Sequence, residues 1–212
     1  MNDTPKNSLL LPREGWKQRS IPLYLKVVYF TFMAILIPTY WIHYGPANFL
    51  WISDVTLILA FLSVLFESKL FASMAAVGGF VLETFWTVSF VLALVFNIHF
   101  TDIADYMFNA ALPLWLRLLS LFHLFLPPLV IWLVRQLGYS KKAVWIQITL
   151  TCLVLTICWA FTNPSENINW VFSYQSLHIH RVLYLILESL GAAAILYITH
   201  LFLSKISRKS FS

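Results

Sequence analysis

The chain has 212 residues, of which 60% are hydrophobic and 11% charged, and it carries a formal net charge of +5. A soluble domain carries about 25% charged residues, so this composition excludes a soluble globular protein and predicts a multi-spanning membrane protein. The positive balance does not point to nucleic acid, because the Lys and Arg residues stand in short segments beside apolar runs, the pattern of membrane topology.

Some twenty polar or mixed residues precede the first apolar run. That run is too long for a signal-peptide core and is expected to remain as the first helix. Stretches long enough to cross about 30 Å of hydrocarbon, near 20 residues each, occur at about 24–44, 48–66, 71–97, 112–135, 143–162 and 181–203. They predict an all-α, polytopic six-helix transmembrane bundle forming a single domain over 1–212. The first two spans meet at His43-Tyr44-Gly45-Pro46, a strong breaker signal. Lys6, Arg13, Lys17, Arg19, Lys26, Lys69, Arg135, Lys141, Lys142, Lys205, Arg208 and Lys209 all fall on one side of such a bundle, leaving Arg117 and Arg181 elsewhere. The positive-inside rule then makes both termini cytoplasmic, in the inner membrane if the cell is bacterial. Tyr40, Trp41, Tyr44, Trp51, Trp115 and Trp170 cluster at the opposite, outer ends, at headgroup depth. The outer loops 98–111 and 163–180 are longer, and the second carries Asn167-Ile168-Asn169-Trp170, polar and aromatic enough either to roof a site or to serve as a plain connector. Cys152 and Cys158 are six residues apart, about 240° around a helix, and read as core rather than as a ligand pair.

Five polar residues interrupt the apolar spans: Ser53, Asp54, Glu83, His123 and Glu188. An ionisable group in a bilayer costs about 2.5–3.5 kcal/mol even on lenient scales, so these are the candidate functional residues. At about 1.5 Å per residue, Ser53 and Asp54 should lie about 8–9 Å below the outer interface, Glu188 about 10 Å, His123 about 16 Å and Glu83 near the midplane. One pocket in the outer half could hold all five.

Histidine is suited to take a proton near neutral pH, and a serine hydroxyl becomes a useful nucleophile when such a base accepts its proton. Ser53 and His123 are therefore the candidate catalytic pair, although serine and histidine in spans also serve as interhelical hydrogen-bond partners. Pro127 and Pro128 follow His123 at i+4 and i+5, which frees the carbonyls of His123 and Leu124 and predicts a kink at a polar or hydrated place. Asp54 has three roles open to it: orienting a base, holding a substrate headgroup, or pairing with Arg117. Glu83 and Glu188 are placed to buffer His123 or to carry protons, and each also fits a neutral structural role. Arg117 itself suits an interface position, with its stem in the apolar layer. Asn48, Trp51, Asn167, Asn169 and Trp170 are candidates for contacting substrate. Gly78-Gly79 predicts close helix packing. His178 and His180, two apart, are a weak metal hint without a dense ligand motif.

Two stretches resemble a known family. Phe122-His123-Leu124-Phe125-Leu126-Pro127-Pro128, followed by the polar turn Arg135-Gln136-Leu137-Gly138-Tyr139-Ser140, resembles the histidine helix of the androgen-induced superfamily of six-span membrane hydrolases. Asn48-Phe49-Leu50-Trp51-Ile52-Ser53-Asp54 resembles the second span of its bacterial relatives, where a small nucleophile, often Cys, stands just before Asp. The resemblance implies a hydrolase or acyltransferase working on lipid esters, with Ser53 at the nucleophile position and His123 at the base. Serine replaces the family's threonine or cysteine, and an alternative register would set Trp51 at the nucleophile position.

The leading expectation is an intramembrane hydrolase or transacylase acting on membrane lipids through Ser53 and His123, without cofactor, metal or nucleic acid. A small proton-coupled transporter using Glu83, His123 and Glu188 is the alternative of a different class, against which the lack of internal symmetry counts. A non-catalytic membrane scaffold is the third.

Overall fold

In hydrocarbon nothing but the chain itself can accept or donate a backbone hydrogen bond, so each uninterrupted apolar run closes on itself as a helix. The computed structural model describes residues 20–209, and among them the regular elements are all helical. Lys6, Arg13, Lys17 and Arg19, which carry part of the topology argument, lie outside the described residues. The helices are α1 (Leu23–Tyr44), α2 (Ile52–Phe66), α3 (Lys69–Phe96), α4 (Leu114–Leu119), α5 (Phe122–Leu137), α6 (Ala143–Phe161), α7 (Tyr174–Leu177) and α8 (Arg181–Lys209), with short 3-10 turns at Pro46–Leu50, Asp105–Phe108 and Ile168–Trp170. Leu23–Tyr44, Lys69–Phe96, Leu114–Leu137, Ala143–Phe161 and Arg181–Ser207 are long and apolar enough to cross a membrane. The chain is a multi-pass integral membrane protein.

The predicted span 48–66 differs from the other five. Its first residues form the 3-10 turn, Trp51 is extended, and the α-helix begins only at Ile52. Its 15 residues reach about 22 Å, short of a 30 Å core. Ser53 and Asp54 therefore occupy the first turn of α2, where a carboxylate complements the helix dipole, rather than lying well inside a continuous helix.

α3 is the hub, packed against α2, α5, α6 and α8. The glycine pair makes that approach close: a Cβ on Gly78 would meet the side chain of Gln147 on α6, and one on Gly79 would collide with the methyl and hydroxyl of Thr56 on α2. Gln147 and Thr56 are both fully buried. α1 is fastened to α2 by Tyr29, whose hydroxyl donates to the Leu57 carbonyl at 2.8 Å, and to the α2–α3 turn by Lys26 and Glu67 at 2.6 Å. At that same end of the bundle the Tyr139 hydroxyl and His200 Nδ1 lie 2.6 Å apart, so His200 is tied to the α5–α6 turn.

Gly79→Ala should lower the stability of the purified protein by about 1–3 kcal/mol through overpacking. Adding Thr56→Ala, which removes the atoms in the way, should restore most of the loss in a denaturant titration in detergent micelles.

Candidate functional site

The first turn of α2, the middle of α3 and the start of α5 converge beneath the loops 98–113 and 162–180. Between them lies a cavity of about 350 Å³ lined by Ser53, Asp54, Glu83 and His123, with Asn48, Trp51, Asn169 and Trp170 at the loop end.

His123 and Glu83 form its polar floor. Imidazole Nδ1 lies 2.5 Å from Glu83 Oε2, linking α5 to α3. Glu83 is fully buried and His123 is 7% exposed. The ring is sandwiched between Trp86 and Phe122, with centroids at 4.2 and 4.1 Å and interplanar angles of 18° and 27°. Carboxylate and flanking rings together fix the imidazole's orientation, and Nε2 is left without a hydrogen-bond partner in a residue that lines the cavity.

The proline pair acts one turn away. Without an N–H at Pro127 the carbonyl of His123 has no helical donor, and Thr87 of α3 supplies one, its hydroxyl donating at 2.9 Å. α5 stays helical through both prolines. The predicted distortion sits just before His123 instead, where Ser120, Leu121, His123 and Leu124 make i→i−3 bonds and separate α4 from α5. Glu83, Trp86 and Thr87 share a helical face at i, i+3 and i+4, and a tryptophan in the middle of a span was the one sequence signal that could have found this wall.

Asn169 builds the opposite rim. Its side-chain amide accepts from the Ile52 N–H at 3.0 Å and donates to the Leu50 carbonyl at 2.8 Å. It thereby caps α2 from a loop more than a hundred residues away and holds Trp51 extended between the two bonds. Asn169 has φ 54°, a left-handed conformation that asparagine adopts more readily than most residues. Both polar ends of its amide are occupied, so it positions Trp51 and Ser53 rather than offering a free donor to the cavity. Asn48 donates to Asp54 Oδ2 at 3.3 Å, leaving Asp54 Oδ1 buried without a partner.

Several predicted members stand elsewhere. Arg117 does not pair with Asp54: its Nη1 donates to the Met107 carbonyl at 2.7 Å, and it does not line the cavity. Asn167 is likewise absent from the lining, because its side chain is used inside its own loop, bonding Ser173 Oγ and the Phe172 N–H. Glu188 lies outside the cavity too, electrostatically close to Cys158 and Tyr184, with Oε2 buried and unpartnered. Ser53 and His123 share the cavity but no hydrogen bond joins them; the carboxylate of Glu83, not the serine, holds the histidine. Among the described residues no group of three or more His, Cys, Asp or Glu is arranged to hold a metal ion.

The structure adds lining residues that sequence reasoning left at the interface or passed over. The hydroxyls of Tyr40 and Ser120 lie 2.9 Å apart, joining α1 to the α4–α5 break. Tyr106 and Asp102 come from the 98–113 loop. Burial pushes the Tyr106 phenol above its ordinary value, so it remains a neutral hydroxyl at physiological pH. Comparison with known proteins finds no family, no curated protein and no solved structure that matches this chain.

Asn169→Ala should cost about 2–4 kcal/mol, since it strands a buried N–H and a buried carbonyl around Trp51. Asn169→Asp keeps the acceptor for Ile52 and should cost less. Thermal unfolding monitored by tryptophan fluorescence would rank the two, with wild type the most stable.

Proposed function

We propose that the protein is an intramembrane hydrolase or transacylase that acts on a lipid ester, with Ser53 as nucleophile and His123 as base. The observation that carries this reading is the Glu83 carboxyl group on His123 Nδ1 within the cavity that Ser53 lines. A carboxylate on one ring nitrogen fixes the tautomer in which the other nitrogen is the base. Ser53 Oγ attacks the acyl carbonyl as its proton passes to His123 Nε2. The ester C–O bond then breaks, and Nε2 returns that proton to the leaving alcohol. Water or a second alcohol, deprotonated by the same nitrogen, cleaves the acyl-enzyme. Ser53 and His123 line the same cavity without a hydrogen bond between them, and nucleophile–base contacts of this kind tighten around a bound substrate. The resemblance of the histidine helix and of the segment around Ser53 to the androgen-induced superfamily supports the same two roles.

The bundle we propose has six spans, the second made of α2 extended by the turn Pro46–Leu50, with both termini cytoplasmic and the cavity opening toward the outer side. Twelve of the fourteen Lys and Arg residues sharing one side support that orientation. If the cell is bacterial the protein would then work in its inner membrane, with membrane lipids as its substrates. Reporter fusions at Ser212 and within 100–110 should give opposite signals, and identical ones would end the six-span arrangement.

A second reading, proton-coupled transport, draws on the unpartnered oxygens of Asp54 and Glu83 in the same cavity. The position of Glu188 outside the cavity removes one member of the relay that such a carrier would use.

A fluorophosphonate probe should label the protein covalently, and Ser53→Ala should abolish labelling without loss of folded protein. Glu83→Gln should slow labelling by roughly 10²–10⁴-fold, the scale of a general-base contribution, because the ring loses the charge that supports its protonation. Labelling that survives both Ser53→Ala and His123→Ala would assign the two residues to structure and favour transport.

A further inference from the structure

We infer that the cavity receives a small monovalent organic cation, an amine or quaternary ammonium about the size of choline, as the head of the substrate. This deepens the proposed function and rests on the reading that this cavity is the substrate site.

The charge balance of the lining is the first argument. No Lys or Arg lines the cavity. His123 holds Glu83 Oε2, and the oxygens left without a partner are Glu83 Oε1 and Asp54 Oδ1, so the lining offers carboxyl groups with no cation beside them. Asp54 is 4% exposed, receives only the neutral amide of Asn48, and keeps Oδ1 without any partner. A carboxyl group so buried gains from ionising only when a positive charge comes beside it, so a ligand bearing one positive charge is the partner that Oδ1 lacks. Asp102, exposed at the mouth, lies on the path a cation would take and adds to the negative potential. A phosphate or a free fatty carboxylate would find no Lys or Arg in the lining to receive it.

The walls make the cation organic rather than a bare metal ion. Tyr40 and Tyr44 line the cavity as an edge-to-face pair, with centroids 5.3 Å apart at 80°, and Trp51 and Trp170 form a second such pair at 5.4 Å and 74°. Perpendicular rings offer π faces in two directions, the arrangement that attracts alkylammonium groups, and tryptophan contributes most strongly. A monatomic ion would need a shell of oxygens that aromatic walls do not provide. The volume, about 350 Å³, lies at the small end of ligand sites of roughly 300–1,000 Å³. It accommodates the head and the ester, while the apolar chain would extend into the surrounding lipid.

Binding can be read without catalysis, using the full-length protein in detergent micelles. Choline chloride and 3,3-dimethylbutan-1-ol, which has the same shape but carries carbon in place of the charged nitrogen, would be titrated against tryptophan fluorescence at constant ionic strength maintained with sodium chloride. Choline should bind at least about tenfold more tightly than the neutral alcohol, the equivalent of a modest desolvated cation–π contact. Ser53→Ala should retain that preference, whereas Asp54→Asn and Trp51→Leu should lose it. Equal affinities for the two ligands in the wild-type protein, or a choline signal that sodium chloride reproduces, would overturn the inference, and neither comparison depends on a variant folding. Choline preference in a protein that fluorophosphonate never labels would retain the cation site and retire the hydrolase. Serine labelling without choline preference would do the reverse.

Discussion

In a hydrocarbon surround an imidazole and a carboxyl group are each costly alone, and the bond between His123 and Glu83 answers both at once. The bond also decides how α5 sits on α3. With Nδ1 fixed to Glu83 and the ring stacked between Trp86 and Phe122, α5 has one rotation about its axis that keeps both contacts. The next contact follows from it, because the carbonyl freed by Pro127 then faces Thr87, one helical turn beyond Glu83. A polar ladder of this kind is exacting, since a slip of one residue would part His123 from Glu83 and its carbonyl from Thr87 together.

The other half of the cavity is held by a loop. α2 begins late because Asn169 takes the Ile52 N–H and the Leu50 carbonyl, bonds that a helix continuing back through Trp51 could not spare. The cost of a shortened helix is offset where its end is capped and packed, and the gain is a first turn that points Ser53 and Asp54 at a cavity instead of at a neighbouring span. Rigid helices thus supply the floor, His123 on Glu83, while a capped helix end and a loop supply the opposite wall, a division in which the loops can vary without disturbing the floor.

Legibility in the sequence followed the range of the interactions. Five long apolar runs came through with ends within a few residues, since hydrophobic length and breakers act locally. The glycine pair was read correctly as a place of close approach, and the partners, Thr56 and Gln147, emerged only from the fold. The freed carbonyl at His123 was predictable from proline chemistry alone, but its donor was not. Depth estimates grouped Glu188 with the other carboxylates because they describe height in the membrane and contain no information about rotation around a helix. The partner that Arg117 takes was hidden for a related reason: the Met107 carbonyl belongs to a loop whose path no periodicity describes.

What the sequence determined by itself was the membrane environment, the helical class and the few polar residues that hydrocarbon makes expensive. Those conclusions rest on composition and on the 3.6-residue and 1.5 Å repeats of a helix, which every residue carries with it. Only the tertiary structure decided which of the polar residues meet: that His123 turns to Glu83 rather than to Ser53, that Asn169 caps α2, and that aromatic rings from six separate segments wall one cavity. Those pairings depend on helix rotation and loop path, and both are set by how all the segments pack together.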